Sequence, residues 1–145
     1  MITIFKNLNE TTSPYYISVD SAIDRIRNGK SKDLCEQIRK PDLDKSQRNE
    51  IKKKLPAVCY GGKFSSRSIA GLIESSGFMS IDFDGFSSPT LLETKRFELE
   101  MDDYTHSLFT SPSGDGLKVL VRIPMCDANE YKQYFKAIEQ YYDCE

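Results

Sequence analysis

The 145-residue chain has no tryptophan and a single histidine, His106. One histidine excludes a His-rich metal site and argues against a triad built on a histidine base. Four cysteines (Cys35, Cys59, Cys126 and Cys144) are scattered without a Cys-x-x-Cys pair. Zinc and disulfide spacing are therefore missing, and reduced thiols are expected. No apolar run approaches the roughly 20 residues that a membrane helix needs. The N-terminus lacks the apolar stretch of a signal peptide, so the expectation is a cytoplasmic protein with no membrane partner. An excess of one charge is also lacking. With a net charge of −2, any nucleic-acid binding has to come from a local patch.

What is present is an ordinary globular balance, 39% hydrophobic and 29% charged, which excludes a disordered chain. The length suits one domain with a real core. Ile2-Thr3-Ile4-Phe5 opens as a short strand. Ser18 caps a predicted helix through Asn28, with Val19, Ala22, Ile23 and Ile26 inward and Gly29 as its stop. Ser31 caps a second short helix bearing Leu34, Cys35 and Ile38. A polar third helix is predicted over residues 45–54. Its Lys52-Lys53-Lys54 run reads as a solvated face, with phosphate contact as the alternative.

Ala57-Val58-Cys59-Tyr60 reads as a strand entering Gly61-Gly62-Lys63-Phe64. A helix from Ser65 or Ser66, carrying Ile69, Leu72 and Ile73, is predicted to follow and to end at Gly77. The Gly-Gly-Lys run is not a P-loop, because Phe64 stands where Ser or Thr is required. A strand–glycine–helix turn still presents amides to an anion, with Lys63 and Arg67 adding charge beside it; in a nucleotidyltransferase they would contact the nucleic-acid backbone. The alternative is a plain turn with surface basic residues.

The centre of the chain is Phe78-Met79-Ser80-Ile81-Asp82-Phe83-Asp84-Gly85. Side chains alternate faces along a strand, so Met79, Ile81 and Phe83 enter a core while Asp82 and Asp84 share the other side. Asp is a poor strand former. Two carboxylates about 7 Å apart along the backbone repel unless they converge on a cation, and Mg²⁺ is a fitting one. A turn cap or a salt bridge to Lys or Arg is the alternative.

Ser88-Pro89 starts a predicted helix with Leu91, Leu92, Phe97 and Met101 inward. A strand over 106–110, the turn Ser111-Pro112-Ser113-Gly114-Asp115-Gly116 and a strand over 117–123 form a hairpin. Its glycines and serines make a tight turn whose amides suit phosphate oxygens, with Lys118 in reach, or else an ordinary turn. Asp127 and Glu130 box the start of a last helix lined by Tyr131, Phe135, Ile138 and Tyr142.

The order from residue 78 is β-α-β-β-α, an RRM- or ferredoxin-like unit without its last strand. The expected fold class is α/β (α+β): one domain over 1–145, with an α-rich N-terminal module (1–77) and that core (78–145). Either Ile2–Phe5 takes the place of the last strand, or the chain is a piece of a longer protein. Acidic metal ligands beside a phosphate-binding turn are the parts that nucleotidyl transfer requires.

Ile81-Asp82-Phe83-Asp84, followed by Ser113-Gly114-Asp115-Gly116-Leu117-Lys118, resembles the archaeo-eukaryotic primase (primase-polymerase) superfamily. More narrowly, it is similar to primase-like N-terminal domains of phage and mobile-element replication proteins, which often precede a helicase. The resemblance implies a metal-dependent nucleotidyltransferase of DNA replication. Asp82 and Asp84 would be the catalytic acids and would hold Mg²⁺ or Mn²⁺. Ser111, Ser113, Gly114, Gly116 and Lys118 would bind the nucleoside triphosphate. Single-stranded DNA would be the template, and a helicase domain or subunit a partner. Many members carry histidine where Lys118 stands, and their third acid lies further along the chain. The alternative function is a non-catalytic nucleic-acid-binding module of replication initiation on the same scaffold.

Overall fold

A computed structural model of the protein describes residues 1–142. Cys144, and Glu145, where a last core strand would begin, lie outside the described residues. The architecture is mixed α/β, with five α-helices and three antiparallel sheets among the described residues. Local chemistry sets most helix starts. Ser18 Oγ accepts from Ser21 N at the head of α1 (Val19–Arg27), and α2 (Lys32–Ile38) follows. Asp44 and Gln47 form a capping box on α3 (Lys45–Lys52). Ser88 caps α4 (Pro89–Glu100), whose first residue is the proline. Asp127 and Glu130 bond reciprocally at the start of α5 (Ala128–Tyr142).

The N-terminal module is richer in strands than the sequence suggests. β1 (Ile2–Phe5) is fully buried between β2 (Tyr15–Ile17) and β3 (Ala57–Cys59), and it does not join the C-terminal sheet. It therefore does not fill the place of a missing core strand. The helix expected after Ser66 is also absent. β4 (Gly62–Phe64) turns through one 3₁₀ turn at Ile69–Gly71 into β5 (Leu72–Ser75), its antiparallel partner. The Ile69, Leu72 and Ile73 spacing fits a helix face, yet Ile73 is 63% exposed. Serines 65, 66 and 68 favour local turn bonds over helix. The chain closes back on itself, with Ser65 N donating to Gly71 O at 2.8 Å.

The third sheet has the order β6-β8-β7, from β6 (Phe78–Phe83), β7 (Thr105–Thr110) and β8 (Leu117–Arg122). Met79, Leu117, Val119 and Val121 pack on one face with Leu92, Leu99 and Ile138 of α4 and α5. The stripe expected on α4 is displaced: Leu92 and Leu99 are buried, while Phe97 and Met101 are 66% and 71% exposed. Phe135 of α5 is likewise exposed. The opposite face is not open along its length. Leu120 is fully buried against Ile2, Val19, Ala22 and Tyr60, with Phe78 and Phe109 packed alongside. The N-terminal module thus shares a core with the C-terminal sheet through Leu120 and leaves Asp82, Ser80 and Arg122 of that face exposed.

Candidate functional site at the Asp82 end of the sheet

The ladder between β6 and β8 builds the site. Its register sets Phe83 opposite Leu117 and Asp82 opposite Lys118. Facing residues on an antiparallel pair share a face, so Lys118 meets Asp82 directly. Its Nζ lies 2.6 Å from both carboxylate oxygens, with the two side chains 33% and 50% exposed. The register also sets Phe109 of β7 beside Lys118. Tyr60 closes the inner end. Burial, and then the negative charge of Asp82, push its hydroxyl up to about 12.

One step beyond the strand, Asp84 continues the same alternation. A Cβ on Gly116 would overlap Asp84 Oδ1 and lie 2.8 Å from the Phe83 carbonyl oxygen. Gly116 is the residue two before Lys118, so Asp84 leans over the face that carries Asp82 and Lys118. The two acids do share a face, as their spacing predicts, but neither projects freely. Asp82 has an ion-pair partner, and Asp84 is lodged against the hairpin.

The hairpin is tied at both levels. Ser111 N donates to Gly116 O at 2.8 Å, and Gly114 N donates to Ser111 O at 2.9 Å. Gly114 has φ +87°, which a side chain would resist. Arg39, just past α2, clamps the turn from the N-terminal module. Its Nε donates to Pro112 O at 3.0 Å and its Nη2 to Ser111 O at 3.1 Å. A trans peptide points its C=O and N–H in opposite directions, so this clamp turns the Ser113 amide away from Arg39. Ser111 Oγ is buried without a hydrogen-bond partner. Arg39 carries no sequence signal, because its partners lie 72 and 73 residues away.

Two carboxylates and a buried, uncommitted hydroxyl are hard oxygen donors of the kind Mg²⁺ or Mn²⁺ accepts. Lys118 Nζ bonds both oxygens of Asp82, so these acids would hold such an ion only after Lys118 leaves. Among the described residues, no group of three or more His, Cys, Asp or Glu side chains is gathered as a metal site. Lys63 and Arg67 sit elsewhere in the local structure than expected. Lys63 lies within β4 and Arg67 in the connection to β5, not at a helix N-terminus, which removes the amide cradle expected beside them. Lys63 pairs with Glu74 at 2.6 Å across the β4–β5 ladder. Arg67 lies close enough to Cys59 to counter the upward push that burial gives its thiol. A groove of about 630 Å³ lies between α4 and the end of α5, on the helical side of the sheet, and Asp82 and Asp84 do not line it.

A family model, the BT4734-like N-terminal domain, matches residues 50–144, well over half of the chain. The protein is a member of the BT4734-like N-terminal domain family. This corrects the expected membership of the archaeo-eukaryotic primase superfamily, because the matching model is of a different family. The two short motifs behind that resemblance each have local work in this fold: Asp82 pairs with Lys118, and Gly116 makes room for Asp84. The BT4734-like match includes both acids, the hairpin and Lys118, and leaves Arg39 outside it. Neither the curated proteins nor the solved structures contain a match to this chain. No helix among the described residues is long and apolar enough to cross a membrane.

Proposed function

We propose that this BT4734-like domain binds a nucleoside triphosphate with Mg²⁺ or Mn²⁺ and carries out nucleotidyl transfer in DNA replication. The observation that carries the reading is the convergence of Asp82, Asp84, Lys118 and the Gly114–Gly116 turn at one end of one sheet. The order β6-α4-β7-β8-α5, with β8 between β6 and β7, supports an RRM-like core beneath that site.

In this reading Asp82 and Asp84 hold the cation. A cation held there would supply screening of the triphosphate charge and activation of the attacking hydroxyl. Lys118 supplies a compact positive charge to a phosphate, and the Ser111–Gly116 turn supplies amides and hydroxyls. Arg39 keeps that turn in its binding shape. Lys63 and Arg67 are assigned to the backbone of a single-stranded template, and a helicase is the expected neighbour in replication.

The test is Mn²⁺-dependent uptake of a triphosphate analogue, followed by incorporation on a single-stranded DNA template. Asp82→Ala with Asp84→Ala is expected to abolish both while circular dichroism stays unchanged. If the double variant retains uptake, the site is elsewhere. DNA binding without incorporation with either metal would favour the non-catalytic nucleic-acid-binding module.

A further inference from the structure

We infer that Lys118 is an exchangeable counter-ion of Asp82, so that the divalent cation and the triphosphate load as a pair. The inference rests on the nucleotide-site reading above and concerns the order of events at that site. Lys118 Nζ sits 2.6 Å from both oxygens of Asp82, which occupies the donor atoms that a cation would use. The same ammonium stands on the hairpin's outgoing strand, two residues after Gly116, where a phosphate on the turn would use it. Each partner therefore blocks the ligand of the other. A cation arriving alone must displace an ammonium that has no phosphate to go to. A triphosphate arriving alone must draw Lys118 off a carboxylate that has no cation to replace it. Together, the two ligands exchange one ion pair for two.

The exchange is cheap because the pair is partly solvated. Exposed ion pairs are worth at most about five-fold in an equilibrium constant, so the pair biases loading without preventing it. Lysine suits the task, with three rotatable donors on a flexible stem. The carboxylate of Asp84 lies beside Gly116. It gives the arriving cation a first carboxylate before Asp82 is released.

The experiment measures Mn²⁺ binding by electron paramagnetic resonance, with and without a non-hydrolysable triphosphate. Triphosphate binding in EDTA is measured separately. Wild type is expected to bind each ligand more tightly in the presence of the other. Lys118→Met is expected to tighten Mn²⁺ alone roughly two- to five-fold and to weaken the triphosphate. Asp82→Asn, which frees Lys118, is expected to tighten the triphosphate in EDTA by a similar factor.

Lys118→Arg separates exchange from simple charge repulsion. Its planar fork grips a carboxylate more firmly, so Mn²⁺ alone should bind more weakly than to wild type. Equal Mn²⁺ affinity in wild type, Lys118→Met and Lys118→Arg, with nucleotide uptake intact, overturns the exchange and leaves the site reading standing. A folded wild type that takes up neither Mn²⁺ nor triphosphate overturns both.

Discussion

The carboxylate of Asp84 occupies the space that a side chain on Gly116 would need. It links the end of β6 to the base of the hairpin and, together with the Phe83 carbonyl oxygen 2.8 Å from the same point, leaves residue 116 room only for glycine. Gly116→Ala is expected to destabilise the fold by about 1–3 kcal/mol, the usual cost of overpacking. Pairing it with Asp84→Ala should recover only part of that loss, because the Phe83 carbonyl remains 2.8 Å away. Urea denaturation of the two singles and the double measures the coupling. Strict additivity would refute the contact.

Arg39 joins the two halves of the chain through the hairpin carbonyls of Ser111 and Pro112. Arg39→Ala is expected to cost about 1 kcal/mol, as for a typical net hydrogen bond. The more specific readout is amide exchange. The Gly114 amide, bonded to Ser111 O, should exchange faster in the variant, while amides in the β6–β8 ladder keep their protection. Unchanged exchange at Gly114 would mean that the turn holds its shape without the guanidinium.

Thr3 is the buried polar hinge of the N-terminal module. It is fully buried, and its Oγ1 donates to Gly62 O and accepts from Phe64 N, each at 2.8 Å. Thr3→Val keeps the shape and strands two buried backbone groups. The expected loss is about 2–4 kcal/mol, since each unsatisfied group costs about 1–3 kcal/mol. A shift in thermal midpoint no larger than that of an exposed threonine substitution would refute this role.

His106 makes stability depend on pH. Burial, and then the positive charge of Arg122, lower its pKa from 6.5, against a smaller upward pull from Asp20. Its ring also packs edge-on against Phe78, with centroids 4.7 Å apart. The fold therefore prefers the neutral ring. The stability tied to it is present above pH 6.5 and is lost as pH falls through the lowered folded value. His106→Asn should flatten that decline in denaturation measured from pH 7.5 to 5. A decline of equal steepness in the variant would assign it to other groups.

Helix starts were legible because their causes lie within four residues: Ser18 with Ser21, Asp44 with Gln47, Ser88 with Leu91, Asp127 with Glu130. The alternation of Met79, Ile81 and Phe83, and the turn between β7 and β8, were equally local. Residues 65–77 misled because Ile69, Leu72 and Ile73 suit a helix, and only pairing with β4 makes part of that segment a strand. The stripe on α4 misled because several spacings of its apolar residues are possible and the sheet selects Leu92 and Leu99.

The sequence by itself determined that two acids end an apolar strand on one face, and that a glycine- and serine-rich turn precedes a lysine. Only the tertiary structure decided what those acids touch. Asp82 meets Lys118 across 36 residues, and Arg39 reaches the hairpin across 72 and 73. Caps and turns draw on bonds between near neighbours, so they are written in short stretches of chain. Ladder registers and clamps close long loops and exist only once the whole sheet has formed.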